Sequence, residues 1–373
     1  MTRTTAMTVD FELEVETRTK PTVRKNVAMP EGEKKRIGEM LSYRRPHDSP
    51  GEAEFVERYI LPLSPTLVVE PASKRDKAPE TVHAYIVRIE GSALQNQRAF
   101  CAHVDSVHNR QQLHTRQSVG YDSFLDQFFV PDDKQRDCLG ADDAAGVYVL
   151  LRMIEAKVPG MYVFFRGEER GGIGSSYVQE VRPDVFEGIT QAIQFDRRGT
   201  KSIITEMMCG MTCSDTFALA LGEALEMGHE PDDSGSFTDT ANLASIVAEC
   251  TNISVGYDWE HSSHEVLEAG YLVDLADRCV EVFADPDLDL PVKREPGQFR
   301  KVRQLNYEVS RIDDGIYSYE FGQVTVYDLP NMTADDLDSL VRDSYVSDLV
   351  TLLSHAAEVV VDAYPTFYKS TRN

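Results

Sequence analysis

Leu139 to Gly172 reads LGADDAAGVYVLLRMIEAKVPGMYVFFRGEERGG. Val147, Leu150, Leu151 and Ile154 recur at helical spacing, whereas Met161 to Phe165 is an unbroken apolar run of strand length. The stretch therefore reads as one helix followed by one buried strand. Carboxylates stand at both ends of this unit, Asp142 with Asp143 and Glu168 with Glu169, each pair flanked by glycine. In an open α/β sheet ligands bind at the carboxyl ends of strands and in the adjoining loops, so acids gathered there mark a site rather than a solvated face. Alone, either pair would read as a helix start or a surface turn.

Three more segments repeat the pattern of strand, then candidate ligand. CAHVDS brings His103 and Asp105 after the run from Arg98 to Val104, AIQFDRRG brings Asp196 after Gln191 to Phe195, and GYDWEHSSHE brings His261 after Ile253 to Tyr257. Imidazole nitrogens mixed with carboxylate oxygens suit zinc and its first-row neighbours, whereas an oxygen-only set would indicate magnesium or calcium. Two histidines and three acids exceed what one tetrahedral ion needs. They match two ions that share a bridging carboxylate.

In this order HVD, GADDAAG, GEERGG, the aspartate of QFDRRG and GYDWEHSSHE resemble the zinc exopeptidases with co-catalytic metals, metallopeptidase families twenty and twenty-eight, over residues 34–284. The resemblance implies a three-layer α/β/α sandwich around a mostly parallel mixed sheet. It implies that Asp142 bridges two metals, that His103 and Asp196 complete one site, and that Glu169 and His261 complete the other. Glu168 would be the general base and Asp105 would hold His103 in place. The implied cofactors are two divalent ions, zinc first, with cobalt or manganese as alternatives. The implied activity is that of an aminopeptidase on short peptides, using water activated by two zinc ions. A carboxypeptidase or amide deacylase on the same metals is an alternative, because the motifs do not choose among small amides. An inactive metal-binding or assembly protein is a third reading, and the retained Glu168 argues against it. Family twenty enzymes insert a dimerisation domain between the last acidic ligand and the final histidine, but Asp196 and His261 are only 65 positions apart. The compact family twenty-eight pattern fits best, while the helical start and GADDAAG also resemble the tripeptidase branch of family twenty.

The residues support these roles in their own right. In an extended strand positions two apart share a face, so Asp105 can accept the free N–H of the His103 ring. Adjacent Glu168 and Glu169 point in different directions, leaving one to bind metal and the other to take a proton from the attacking water. Ala144, Ala145 and Gly146 let a helix start approach the metals, with Asp143 as a helix-start acid rather than a ligand. The H-S-x-x-E register favours His261 over His264. Asp239, in PDDSGSFTDTAN, resembles an acid that relatives place near the site, with helix capping as the alternative.

With 38 basic against 62 acidic residues the net charge is −24, which disfavours nucleic acid and anionic membranes as partners. A small peptide is the expected partner, and a homo-oligomer is left open. There is neither a charged-then-apolar leader nor an apolar run of membrane length, and the six cysteines lack paired metal spacing. The expectation is a cytoplasmic protein with reduced, buried thiols.

The rest of the chain divides into an N-terminal arm (1–30), a catalytic domain (31–285) and a C-terminal extension (286–373). Thr8 to Glu16 alternates as a strand, Gly32 to Tyr43 and Gly51 to Leu61 read as helices, and His83 to Glu90 with Arg98 to Asp105 read as a strand pair. Residues 106–137 read as a long loop and a candidate lid, with His108 and His114 exposed rather than metal-bound. Lys201 to Glu206 reads as a strand, and Asp215 to Met227 and Glu265 to Ala284 as helices. Beyond an acidic link, Val302 to Ser310 and the pair around Ile316 to Leu329 read as strands, followed by helices near Ala334 to Asp343 and Ser347 to Ala363. The expectation is a small accessory β element built from the two termini.

Overall fold

The apolar run at Met161 becomes a central strand, Gly160–Phe165, with all six residues buried. A strand covered on both faces cannot alternate polar with apolar residues, which is why the run is continuous. The computed structural model describes residues 30–72, 80–110, 114–131 and 137–297, with the backbone of 316–318 and 322–324. The chain divides into two compact units, Met1–Arg300 and Lys301–Asn373.

In chain order the first unit contains α1 (Glu31–Leu41), α2 (Pro50–Tyr59), β1 (Thr66–Glu70), β2 (Thr81–Ile89), β3 (Arg98–His103), β4 (Gly120–Asp122), β5 (Gln127–Phe129), α3 (Ala141–Glu155), β6 (Gly160–Phe165), α4 (Ile173–Val181) and β7 (Gln191–Arg197). It continues with β8 (Ser202–Ile204), β9 (Glu206–Met207), β10 (Gly210–Met211), α5 (Asp215–Leu225), β11 (Glu230–Asp232), α6 (Asp239–Leu243), β12 (Glu249–Ser254), β13 (Tyr257–Asp258), β14 (Val266–Glu268) and α7 (Ala269–Phe283). Eight strands form one mixed sheet in the order β1-β2-β6-β3-β7-β12-β8-β11. Its centre, β6-β3-β7-β12, is parallel throughout.

The two-residue period of the strands sorts their side chains into two cores. Phe100, Ala102, Tyr162, Phe164, Ile193 and Phe195 face one side with Val147, Leu150 and Leu151 of α3 and Leu272 and Leu275 of α7. Cys101, Met161, Val163, Phe165 and Ala192 face the other with Val178 of α4 and Leu243 of α6. These helical layers enclose the sheet. α2 starts one residue before the expected Gly51, with Ser49 accepting the Glu52 N–H and Pro50 at the first position.

Four local expectations change. β2 and β3 are not partners, because β6 lies between them and pairs with both. The 106–137 segment contains β4 and β5, which join β14 and β13 in a four-stranded sheet in which Phe128 is buried. The last helix begins at Ala269, since Val266–Glu268 is a strand. His108 is buried, its Nδ1 facing Ser106 Oγ and its ring packed against Gly140, while His114 is exposed.

Residues 286–297, expected in the C-terminal extension, belong to the first unit, with Leu290 buried and its carbonyl accepting from Gln191 Nε2. All six cysteines are free, five of them buried and Cys209 exposed. No helix among the described residues is long and apolar enough to cross a membrane. In the second unit Ile316–Ser318 pairs antiparallel with Gly322–Val324, inside the expected strand pair. The expected strands at Thr8 to Glu16 and Val302 to Ser310, and the two C-terminal helices, lie outside the described residues.

Candidate active site

The parallel strands β3, β6, β7 and β12 end on one edge of the sheet, and the acids and histidines collect there. His103 is the last residue of β3, Glu168 and Glu169 follow β6, Asp196 is near the end of β7, and His261 lies beyond β12. Asp142 reaches the same edge from the start of α3. Asp142 (φ −77°, ψ 101°) and Asp143 (φ −120°, ψ 44°) are not helical, and the peptide bond between them is cis. Asp143 caps the helix proper, with Oδ1 accepting the Gly146 N–H at 2.8 Å and Oδ2 the His103 N–H at 3.1 Å. Gly146 is required for the close approach, since a Cβ there would lie 2.0 Å from the Phe195 carbonyl oxygen.

Two groups of three share Asp142. Its Oδ1 lies 3.0 Å from His103 Nε2, which is also 3.4 Å from Asp196 Oδ1. Its Oδ2 lies 3.0 Å from His261 Nε2, which is also 3.0 Å from Glu169 Oε1. Each group supplies one imidazole nitrogen, one acid of its own and one oxygen of the shared acid, with the donor atoms within 4.8 Å of one another. This donor set fits two small divalent ions. It is His261 that reaches Asp142, while His264 is exposed and in neither group.

Burying so many carboxylates is costly without compensating positive charge. Burial acts to lower both histidines, but the carboxylates of Asp196, Asp105 and Asp142 hold His103 well above its ordinary value, and Glu169 and Asp142 do the same for His261. Burial acts to raise Asp142, yet hydrogen bonds with His103 and His261 outweigh it and keep this carboxyl below the usual range. Burial and Asp142 push Asp196 up to about 6 despite the pull of His103. The imidazole nitrogens that face the bridge are the positions where cations would compete with protons.

Glu168 belongs to neither group around Asp142, although its carboxylate comes within 4.8 Å of donors on His103 and Glu169. It lines the open cleft together with Asp142, Asp196 and His261. Burial, with Glu169 and Asp196, raises it well above the ordinary carboxyl value against the pull of His103. A carboxyl so tuned, facing open space beside the clustered donors, is suited to proton transfer.

No family model and no curated protein matches this sequence. In three dimensions the chain is similar to aminopeptidase PepT from Bacillus cereus, at 13% identity and a TM-score of 0.52, over 69% of this chain and 98% of that one. The chain has the fold of that aminopeptidase. A tripeptidase from Staphylococcus aureus is similar at 12% identity and a TM-score of 0.52, over 69% of this chain and 99% of that one.

Within this aminopeptidase fold the Asp105 carboxylate lies closer to the glutamate loop than to the His103 ring. It lies just past the end of β3, and the nearest acceptor to His103 Nδ1 is its carbonyl oxygen at 3.2 Å, with the carboxylate at 3.6 Å. Its carboxylate accepts the backbone N–H groups of Gly167, Glu168 and Glu169 at 2.9, 3.2 and 3.3 Å. One buried acid therefore positions both the first histidine and the loop carrying the two glutamates. Asp105→Asn presents an amide donor to donors, and should lower kcat by about ten- to a hundredfold, the range for losing a partner that orients a ligand. Steady-state kinetics with metal content measured alongside checks this, and an unchanged kcat would remove the role.

The aminopeptidase fold also brings supporting residues around these groups. Asp196 is held on both oxygens, by Tyr257 Oη at 3.0 Å and Thr238 Oγ1 at 2.8 Å, and its backbone N–H and C=O both bond the Asn252 amide. Glu265 accepts the N–H groups of Gly140 and Asp142, and burial beside Asp142 pushes its carboxyl up to about 8. It is the Glu of the H-S-x-x-E register, so a signal existed without a role attached to it. Asp239 is buried in the first turn of α6, where Thr238 is the cap residue and no side chain makes a capping bond. Burial pushes its carboxyl up to about 7 against the pull of His103 and of Ser175.

Proposed function

We propose that this chain is a metal-dependent exopeptidase of the aminopeptidase type, acting on short peptides with Glu168 as general base. The observation that carries this reading is the sharing of Asp142 between two equivalent groups of donors at the mouth of a cleft. The names of the two structural neighbours, an aminopeptidase and a tripeptidase, support the peptide class. His103, Asp142 and Asp196 would hold one ion and Asp142, Glu169 and His261 the other. Two such ions, when bound, draw electron density from the scissile carbonyl and make water easier to deprotonate.

The chain's own groups do the remaining work. Glu168 takes a proton from the water as its oxygen bonds to the carbonyl carbon, and returns it to the nitrogen as the C–N bond breaks. The products are a carboxylate and an amine. Asp105 keeps the Glu168 backbone aligned through this exchange, while Tyr257 and Thr238 keep Asp196 from rotating. A carboxypeptidase or amide deacylase is the second reading, favoured by two arginines in the cleft wall.

Dialysis against a chelator should abolish hydrolysis, and zinc, cobalt or manganese should restore it. Aminoacyl anilides, N-acylated amino acids and C-terminally blocked peptides, assayed side by side, decide the direction of attack. Hydrolysis indifferent to the chelator would sink the metal-dependent reading.

A further inference from the structure

Arg197 and Arg198 follow directly on Asp196. They are the only lysine or arginine side chains among the described residues that line the cleft beside Asp142, Glu168 and His261. A guanidinium next to a site for dications meets repulsion, and a substrate ammonium group at that wall would meet the same repulsion. An anion is the group that this wall favours.

The two arginines are built differently. Arg197 is largely buried and braced, with Nη2 donating to Ser234 Oγ at 2.9 Å and lying 3.7 Å from Asp232 Oδ2. Arg198 is 57% exposed, with Nη1 3.1 Å from Glu260 Oε1. A guanidinium carries five N–H donors in a planar fork, so one contact of this kind leaves capacity for a carboxylate. Arg197 gives the wall a fixed positive charge, and Arg198 supplies accessible donors.

We propose that Arg197 and Arg198 form a carboxylate subsite, so that the favoured substrates carry a carboxylate within about three residues of the scissile amide, at roughly 3.3–3.6 Å per extended residue. This rests on the peptidase reading and narrows its substrate class. The carboxylate has two sources, the C-terminus of a very short peptide or an aspartate or glutamate side chain.

The test compares trialanine with trialanine amide, and Ala-Asp-Ala amide with Ala-Asn-Ala amide, on wild-type protein and on Arg198→Gln and Arg197→Gln. The wild type should favour the acid of one pair by about ten- to a hundredfold in kcat/KM, the range for a charge-assisted hydrogen bond. The preferred pair identifies the source. Arg198→Gln should erase most of that preference, and do so through KM. Binding of the same four compounds to Glu168→Gln protein, read by calorimetry, should show the same order without depending on turnover. Failure to hydrolyse any peptide would then count against the proposed function alone. Equal binding of acid and amide in both pairs, or a preference that survives both arginine variants, would overturn the subsite.

Discussion

Asp142→Asn should strip both ions from the protein together and take turnover with them. Two dications about 4 Å apart repel by roughly 17 kcal/mol even at an effective dielectric constant near 20, so a site for two depends on negative charge between them. Asp142 is placed to supply it, with one oxygen 3.0 Å from His103 and the other 3.0 Å from His261. Asparagine keeps the shape, removes the charge, and turns an NH2 toward one of the two groups. The group facing the NH2 loses its third ligand, and the other keeps a neutral amide oxygen in place of a carboxylate. Elemental analysis of purified variant and wild type reads the result directly, and one ion retained per chain would show that Asp142 is not shared.

Glu168→Gln should leave metal content and thermal stability near wild type and lower kcat by about a hundredfold or more, the range for losing a positioned acid–base group. Glu169→Gln should do the reverse and lose metal first. The two neighbours differ in placement: Glu168 lines the open cleft, whereas Glu169 lies 3.0 Å from His261 and joins a group around Asp142. The backbone turn through the Glu168–Arg170 helical turn, flanked by Gly167 and Gly171 in the left-handed region, separates their directions. Metal loss of equal size in both variants would erase the distinction between base and ligand.

His261 makes a related point about the loop after β13. Trp259 and His261 both have φ of 61°, uncommon for residues with a Cβ. Ser262 closes this turn by donating to the Trp259 carbonyl and accepting the His264 N–H. Such backbone persists where surrounding contacts hold it, and here it turns the imidazole back over Asp142.

What the sequence determined by itself was the repeated motif of strand followed by candidate ligand, and with it the fold class and the side of the sheet on which the candidate ligands gather. The reason is local: an apolar run covered on both faces, as at Met161 to Phe165, and a helical period, as at Val147 to Ile154, are written in neighbouring residues. Tertiary structure alone decided who stands beside whom. His83 to Ile89 and the strand ending at His103 looked like partners because they are consecutive, but the strand from Gly160 inserts between them, since pairing across a sheet is set by packing of the helical crossovers and not by chain order. His108 looked solvated because its neighbours are polar, yet it fills the space that a glycine at 140 leaves open. Tyr257, Thr238 and Asn252 drew no role from the sequence because they hold Asp196, a task that many donors could perform and that depends on direction across 42 to 61 positions of chain. A candidate ligand is recognised from the chemistry of a single side chain, whereas the support around it follows from geometry that only the folded chain contains.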